Sequence, residues 1–83
     1  MQTYDDLTRQ AARAYKRYFH DRDRSAEALE AMEAIDAEMC ARFDVFIQVR
    51  SMCHPSAALV IYGSRSAWRN NREPITIIPF SQV

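Results

Sequence analysis

The pattern of apolar and polar positions changes its period near the middle of the chain. Tyr4, Leu7, Ala11, Ala14 or Tyr15, and Tyr18 recur every three or four residues, the spacing that lines one face of an α-helix. Thr3 stands where an N-cap is needed, and Asp6 three residues on makes a capping box with aspartate in place of the usual Glu or Gln. Asp5 and Asp6 complement the positive end of the helix dipole, and Lys16, Arg17 and His20 the negative end, which predicts a helix over about 4–20. Leu29, Met32, Ile35 or Asp36, Met39 and Phe43 form a second such face. Five alanines (Ala26, Ala28, Ala31, Ala34 and Ala37) raise helix propensity there, over about 26–42. The polar link between them offers Ser25 or Asp23 as the next N-cap; with no Gly or Pro, it also admits one continuous helix. Two amphipathic helices joined by about five residues predict an antiparallel hairpin.

Beyond Arg42 the period becomes two. Val45, Ile47 and Val49 alternate with Phe46, Gln48 and Arg50, and β-branched residues replace the alanines. Met52-Cys53-His54-Pro55-Ser56 reads as a turn, because Pro55 biases His54 toward extended geometry. Further strands follow at Ala58-Leu59-Val60-Ile61-Tyr62 and Ile75-Thr76-Ile77-Ile78. The three strands span about 44–50, 57–63 and 74–80, with Pro74 and Pro79 suiting the last to a sheet edge. The expected fold class is α+β: an N-terminal antiparallel helical hairpin packed on a C-terminal three-stranded antiparallel β-meander, ααβββ, in one small domain of 83 residues. Strands two and three are apolar on both faces. Two helices cover only one, so the other is expected to meet a partner or a second copy.

Charge refines this picture. The chain is formally neutral, yet residues 1–24 carry +2, residues 25–44 carry −5 and residues 45–83 carry +3. Such segregation steers partners even on a neutral molecule. Lys16 is the only lysine among eleven cationic residues. Arginine suits bidentate and stacked contacts, and a GC-rich genome gives the same bias. Arg9, Arg13, Lys16 and Arg17 on the first helix face the sign of Glu27, Glu30, Glu33, Asp36 and Glu38 on the second, which predicts helix faces partly salt-bridged across the hairpin. The sharper reading of the glutamates is an acidic surface for a basic partner. No apolar run approaches a membrane span, and the first residues lack the pattern of a secretory signal, so a cytosolic protein is expected.

Candidate chemistry is sparse. His20, Cys40, Cys53 and His54 lack the paired short spacings of a zinc site, which leaves a buried Cys40 and a turn Cys53 as the reading. Cys53 with His20 or His54 is the sole nucleophile–base combination, without an orienting third group. Neither catalysis nor a cofactor or metal is expected.

The densest functional signal is Arg65-Ser66-Ala67-Trp68-Arg69-Asn70-Asn71-Arg72, where the one tryptophan stands among three arginines. Asn70-Asn71 forms a type I′ hairpin turn in one reading, since asparagine tolerates positive φ; in the other, 63–73 is a flexible surface loop. Trp68 either folds onto the core or points outward as an anchor. An outward Trp68 with Tyr62, Arg65, Arg69 and Arg72 suits a pocket on a protein, or stacking on bases with arginines on phosphates. Three arginines give a salt slope of only about −2 to −3, which favours the protein partner. The expectation is therefore a non-enzymatic interaction module, an inhibitor or adaptor of a larger protein or ribonucleoprotein complex. A small RNA- or single-strand-binding domain is the alternative, and a purely oligomerising subunit the third reading. In size and patchy charge the chain looks like the accessory proteins of phages and mobile elements, including anti-CRISPR-type inhibitors, a likeness resting on those features alone.

Overall fold

The computed structural model describes residues 2–51 and 55–83. Helix α1 (Tyr4–Tyr15) starts at the predicted box: the Thr3 hydroxyl accepts from the Asp6 N–H at 3.2 Å and the Asp6 carboxylate from the Thr3 N–H at 3.2 Å. The helix then widens into a π-helical turn, Lys16–His20, closed by the Asp21 N–H on the Lys16 carbonyl at 2.8 Å. This widening corrects one expectation. Phe19 rather than Tyr18 turns toward the core, stacked on Tyr15 at 5.9 Å, while Tyr18 lies under the Arg24 guanidinium at 4.3 Å. Helix α2 (Ala26–Phe43) is separate from α1. The Ser25 hydroxyl caps it by accepting from the Ala28 N–H at 3.2 Å, and Asp23 in turn accepts from the Ser25 N–H at 3.0 Å. Both candidate caps are thus used in series. Asp44, in the left-handed region at φ 53°, ends the helix and turns the chain into the sheet.

Strands β1 (Phe46–Arg50), β2 (Ala58–Tyr62) and β3 (Thr76–Pro79) form an antiparallel sheet in the order β1-β2-β3. Register pairs Ile47 with Ile61, Val49 with Leu59, Leu59 with Ile78 and Ile61 with Thr76. Because side chains alternate across a sheet, these residues share the face that packs on the helices. Leu7, Ala11, Tyr15, Ile35, Met39, Ile47, Leu59, Ile61 and Phe80 form one hydrophobic cluster. Tyr4 Oη and Thr76 Oγ1 share a hydrogen bond of 2.7 Å, fixing α1 above β3. The fold is the expected α+β arrangement of a helix pair followed by a three-stranded antiparallel sheet.

The helix faces are joined differently from expectation. Arg17 pairs with Asp23 at 2.6 Å, Lys16 with Asp21 at 3.9 Å and Arg42 with Glu38 at 3.5 Å, and none of these pairs spans the hairpin. A polar link between the helices is made by the Tyr15 hydroxyl, which donates to the Asp36 carboxylate at 2.8 Å. A buried tyrosine reaches a half-buried carboxylate there, whereas Arg9, Arg13, Glu27, Glu30 and Glu33 are all exposed, where solvent competes for every charge. No helix among the described residues is long and apolar enough to cross a membrane.

Candidate functional site: an aromatic ledge on the outer sheet face

The face of the sheet away from the α1–α2 pair is a grid. Phe46 lies opposite Tyr62, Gln48 opposite Val60, Arg50 opposite Ala58; Val60 then meets Ile77, and Ala58 meets Pro79. A helix of five residues, α3 (Arg65–Arg69), serves this side. It contradicts both readings of the 65–72 segment, since that segment is neither a two-residue hairpin turn nor an irregular loop. The Ser64 hydroxyl caps its start by accepting from the Ala67 N–H at 3.0 Å. At its end the Arg72 N–H reaches the Ala67 carbonyl at 2.9 Å and the Asn71 N–H reaches the Trp68 carbonyl at 3.2 Å. This is the paired closure of a Schellman motif, with Asn71 at φ 53° in the position glycine usually holds. The asparagine signal was a genuine mark of positive φ, but what it closes is a helix.

The short helix sets Trp68 on the outer face. Its ring lies 5.1 Å from that of Phe46, tilted by 43°, and the Arg65 guanidinium lies 5.8 Å from the same Phe46 ring. Trp68 therefore neither enters the core nor stands free; it leans on Phe46 and remains 38% exposed. Tyr62, half-buried, ends β2 in the same row as Phe46; Arg69, the last residue of α3, and Arg72 are exposed. Along β3 and just before it the apolar surface continues through Ile75, 58% exposed, and Ile77, 49% exposed. Aromatic area framed by guanidiniums is a surface that gains from desolvation by a partner.

Of the residues proposed from sequence, the structure gathers Tyr62, Arg65 and Trp68 about Phe46, with Arg69 and Arg72 at the margin of α3. It does not bring Glu27, Glu30 and Glu33 to them. Those lie on the exposed side of α2, which packs its Ile35 and Met39 toward the opposite face of the sheet. Phe46, Ile75 and Ile77 were missed. Phe46 carries a signal, an aromatic in the polar phase of β1; Ile75 and Ile77 carry theirs only collectively, as part of the second apolar sheet face expected to meet a partner.

Of the other candidate residues, Cys40 is placed by its thiol. The half-buried Cys40 thiol donates to the Val45 carbonyl at 3.2 Å, and burial, with Asp36 and Asp44 nearby, raises its pKa. That keeps it protonated, the wrong state for a ligand or nucleophile. Cys53 and His54 lie outside the described residues, and no three of His, Cys, Asp or Glu converge among the described ones. Comparison with protein-family models, with curated proteins and with solved structures returns no match, so the reading of this surface rests on its own geometry.

Proposed function

We propose that this protein is a non-enzymatic interaction module, an inhibitor or adaptor that engages a larger protein or ribonucleoprotein complex through the ledge built by α3 and the outer sheet face. The observation that carries this reading is Trp68, propped on Phe46 and still partly exposed, with Arg65 against the same Phe46 ring. A propped ring has little freedom left to lose on binding, so its burial converts into affinity efficiently. The acidic side of α2 is a separate surface in this reading, suited to steering a basic region of the same complex. A small, charge-segregated protein of this kind fits an accessory protein of a phage or mobile element, of the anti-CRISPR type.

Tagged protein captured against the lysate of its host tests the reading. Trp68→Ala should remove the principal partner, with a loss on the order of 2 kcal/mol or more for a central aromatic anchor. Reversal of Glu27, Glu30 and Glu33 should mainly alter association rate and salt dependence. An unchanged partner set with Trp68→Ala would sink the proposal. One observation favours a second reading: Phe46 and Tyr62 are cross-strand neighbours on the face that also carries Trp68, Arg50 and Arg65, a stacking platform for single-stranded nucleic acid. Fluorescence anisotropy with single-stranded RNA at two salt concentrations decides it, with a log–log slope of about −2 to −3 as the expected mark.

A further inference from the structure

The free edge of β3 borders a groove at the margin of the helix-packed face. It measures about 420 Å³ and runs between α1 and β3, with Thr8, Ala12 and Ile78 among its lining and Arg9, Arg13 and Asp5 contributed by α1. Thr8 and Ala12 are buried, whereas Arg9 and Arg13 are exposed and belong to no ion pair among the described residues. Beneath the same edge, on the outer face, lies the half-exposed Ile77. Among the described residues, strand β3 pairs with β2 alone. The Phe80 N–H donates to the Ala57 carbonyl at 2.9 Å, continuing the ladder past β3. Hydrogen-bonded pairs alternate along an antiparallel ladder, so Ile78 directs its N–H and carbonyl to β2 and Ile77 turns its own toward the free edge. Pro79 has no N–H and ends that row of donors.

We propose that this edge is a second binding site, which takes an extended acidic segment of a partner protein as a fourth strand beside β3. Strand addition would satisfy the outward backbone groups of Ile77. Inward side chains of the added strand would enter the groove over Ala12 and Ile78, and outward ones would lie beside Ile77, so one occupant covers both surfaces. Charge and spacing specify its chemistry. Arg9 and Arg13 are one helical turn apart, a rise of about 6 Å, and alternate residues of a strand are about 6.6–6.8 Å apart. Two carboxylates at positions i and i+2 therefore match the two guanidiniums. A turn back along α1, Asp5 disfavours a third carboxylate, so the pattern is two alternate acids with a neutral or basic residue two positions beyond them at one end, the end being set by the direction of the added strand. A second copy of the chain is a poor occupant, because its β3 would present Thr76 and Ile78 at the inward positions and give the arginines no carboxylate. The site shares Ile77 with the outer face but makes no use of Trp68.

The probes are two capped heptapeptides, Val-Lys-Val-Glu-Val-Glu-Val and its reverse order, with Val-Lys-Val-Lys-Val-Lys-Val as control. Amide shifts and hydrogen exchange of the full chain are followed by NMR during titration. One of the two orders should shift and protect the Ile77 N–H, and the control should not. Arg9→Glu with Arg13→Glu should weaken binding roughly tenfold, as expected for two solvent-exposed pairs turned repulsive. The neutral pair Arg9→Gln with Arg13→Gln should fall between that and the parent, and Trp68→Ala should leave binding unchanged. Failure of both orders at Ile77, equal binding of the lysine control, loss with Trp68→Ala, or Ile77 protection that follows protein concentration without peptide would each overturn the proposal.

Discussion

The two faces of the sheet are made by the same three strands from similar apolar residues, and they end in opposite states. On the inner face Leu59 and Ile61 are wholly covered by two helices. On the outer face α3 is the one helix over the strands among the described residues, yet Ala58 and Val60, each flanked by residues of both neighbouring strands, are buried. What remains open belongs to the periphery: Ile75, Ile77 and Trp68. Sealing the outer face therefore depends on position in the sheet as much as on hydropathy. A small or β-branched residue on the central strand is shielded by its neighbours, whereas an isoleucine on the edge strand needs a partner to lose its water.

The contrast can be broken most directly by truncation on each face. Leu59→Ala should cost about 2–5 kcal/mol in urea unfolding, as for a fully buried leucine with no room to relax, whereas Ile77→Ala should cost no more than about 1 kcal/mol. Equal losses would mean that the outer face is covered in solution. Next in size is the anchor of α3. Asn71→Val should destabilise by about 1–2 kcal/mol, because a β-branched residue is strained at positive φ. It should also increase the mobility of Trp68, read from its fluorescence anisotropy; Asn71→Gly should do neither. Tyr15→Phe keeps the inner packing and removes one hydrogen bond, at about 1 kcal/mol.

Two titrations sharpen the same comparison. Burial first, then the bond to Asp36, holds the Tyr15 phenol well above its ordinary value of 10.0. Its contribution is fully present below that value and is lost as pH rises past it, since the unfolded chain ionises there first. Tyr15→Phe should flatten the alkaline limb of stability against pH. The smallest effect lies at the other end of the scale. The bond from Arg17, followed by those from Ser25, lowers the exposed Asp23 carboxyl from 3.8 to about 2. Its contribution is present above the ordinary carboxylate value and disappears as pH falls toward 2. Arg17→Ala should remove a slight acid-side loss and leave the alkaline limb untouched.

Much of this was legible in local chemistry. The Thr3–Asp6 box, the Ser25 cap and the change of period after Arg42 depend on residues a few positions apart, and each appears where the pattern placed it. The misplacements share a cause. The ideal α-helical period that places Tyr18 toward the core is interrupted by a π turn. Asn70-Asn71 was read by its tolerance of positive φ, which a Schellman closure requires as much as a hairpin does. The charged helix faces were paired by sign, and sign alone does not bring exposed side chains together.

By itself the sequence determined the helix pair, the three strands, their order along the chain and the surplus of apolar surface on the sheet. These follow from periodicity and capping, which act over one or two turns of chain. Only the tertiary structure decided that Trp68 rests on Phe46 rather than in the core, that the glutamates of α2 stand on the far side of the sheet from it, and that α1 and the edge of β3 leave a groove between them. Each of these joins residues distant in sequence. Their meeting is set by how the layers stack, and no local pattern encodes that distance.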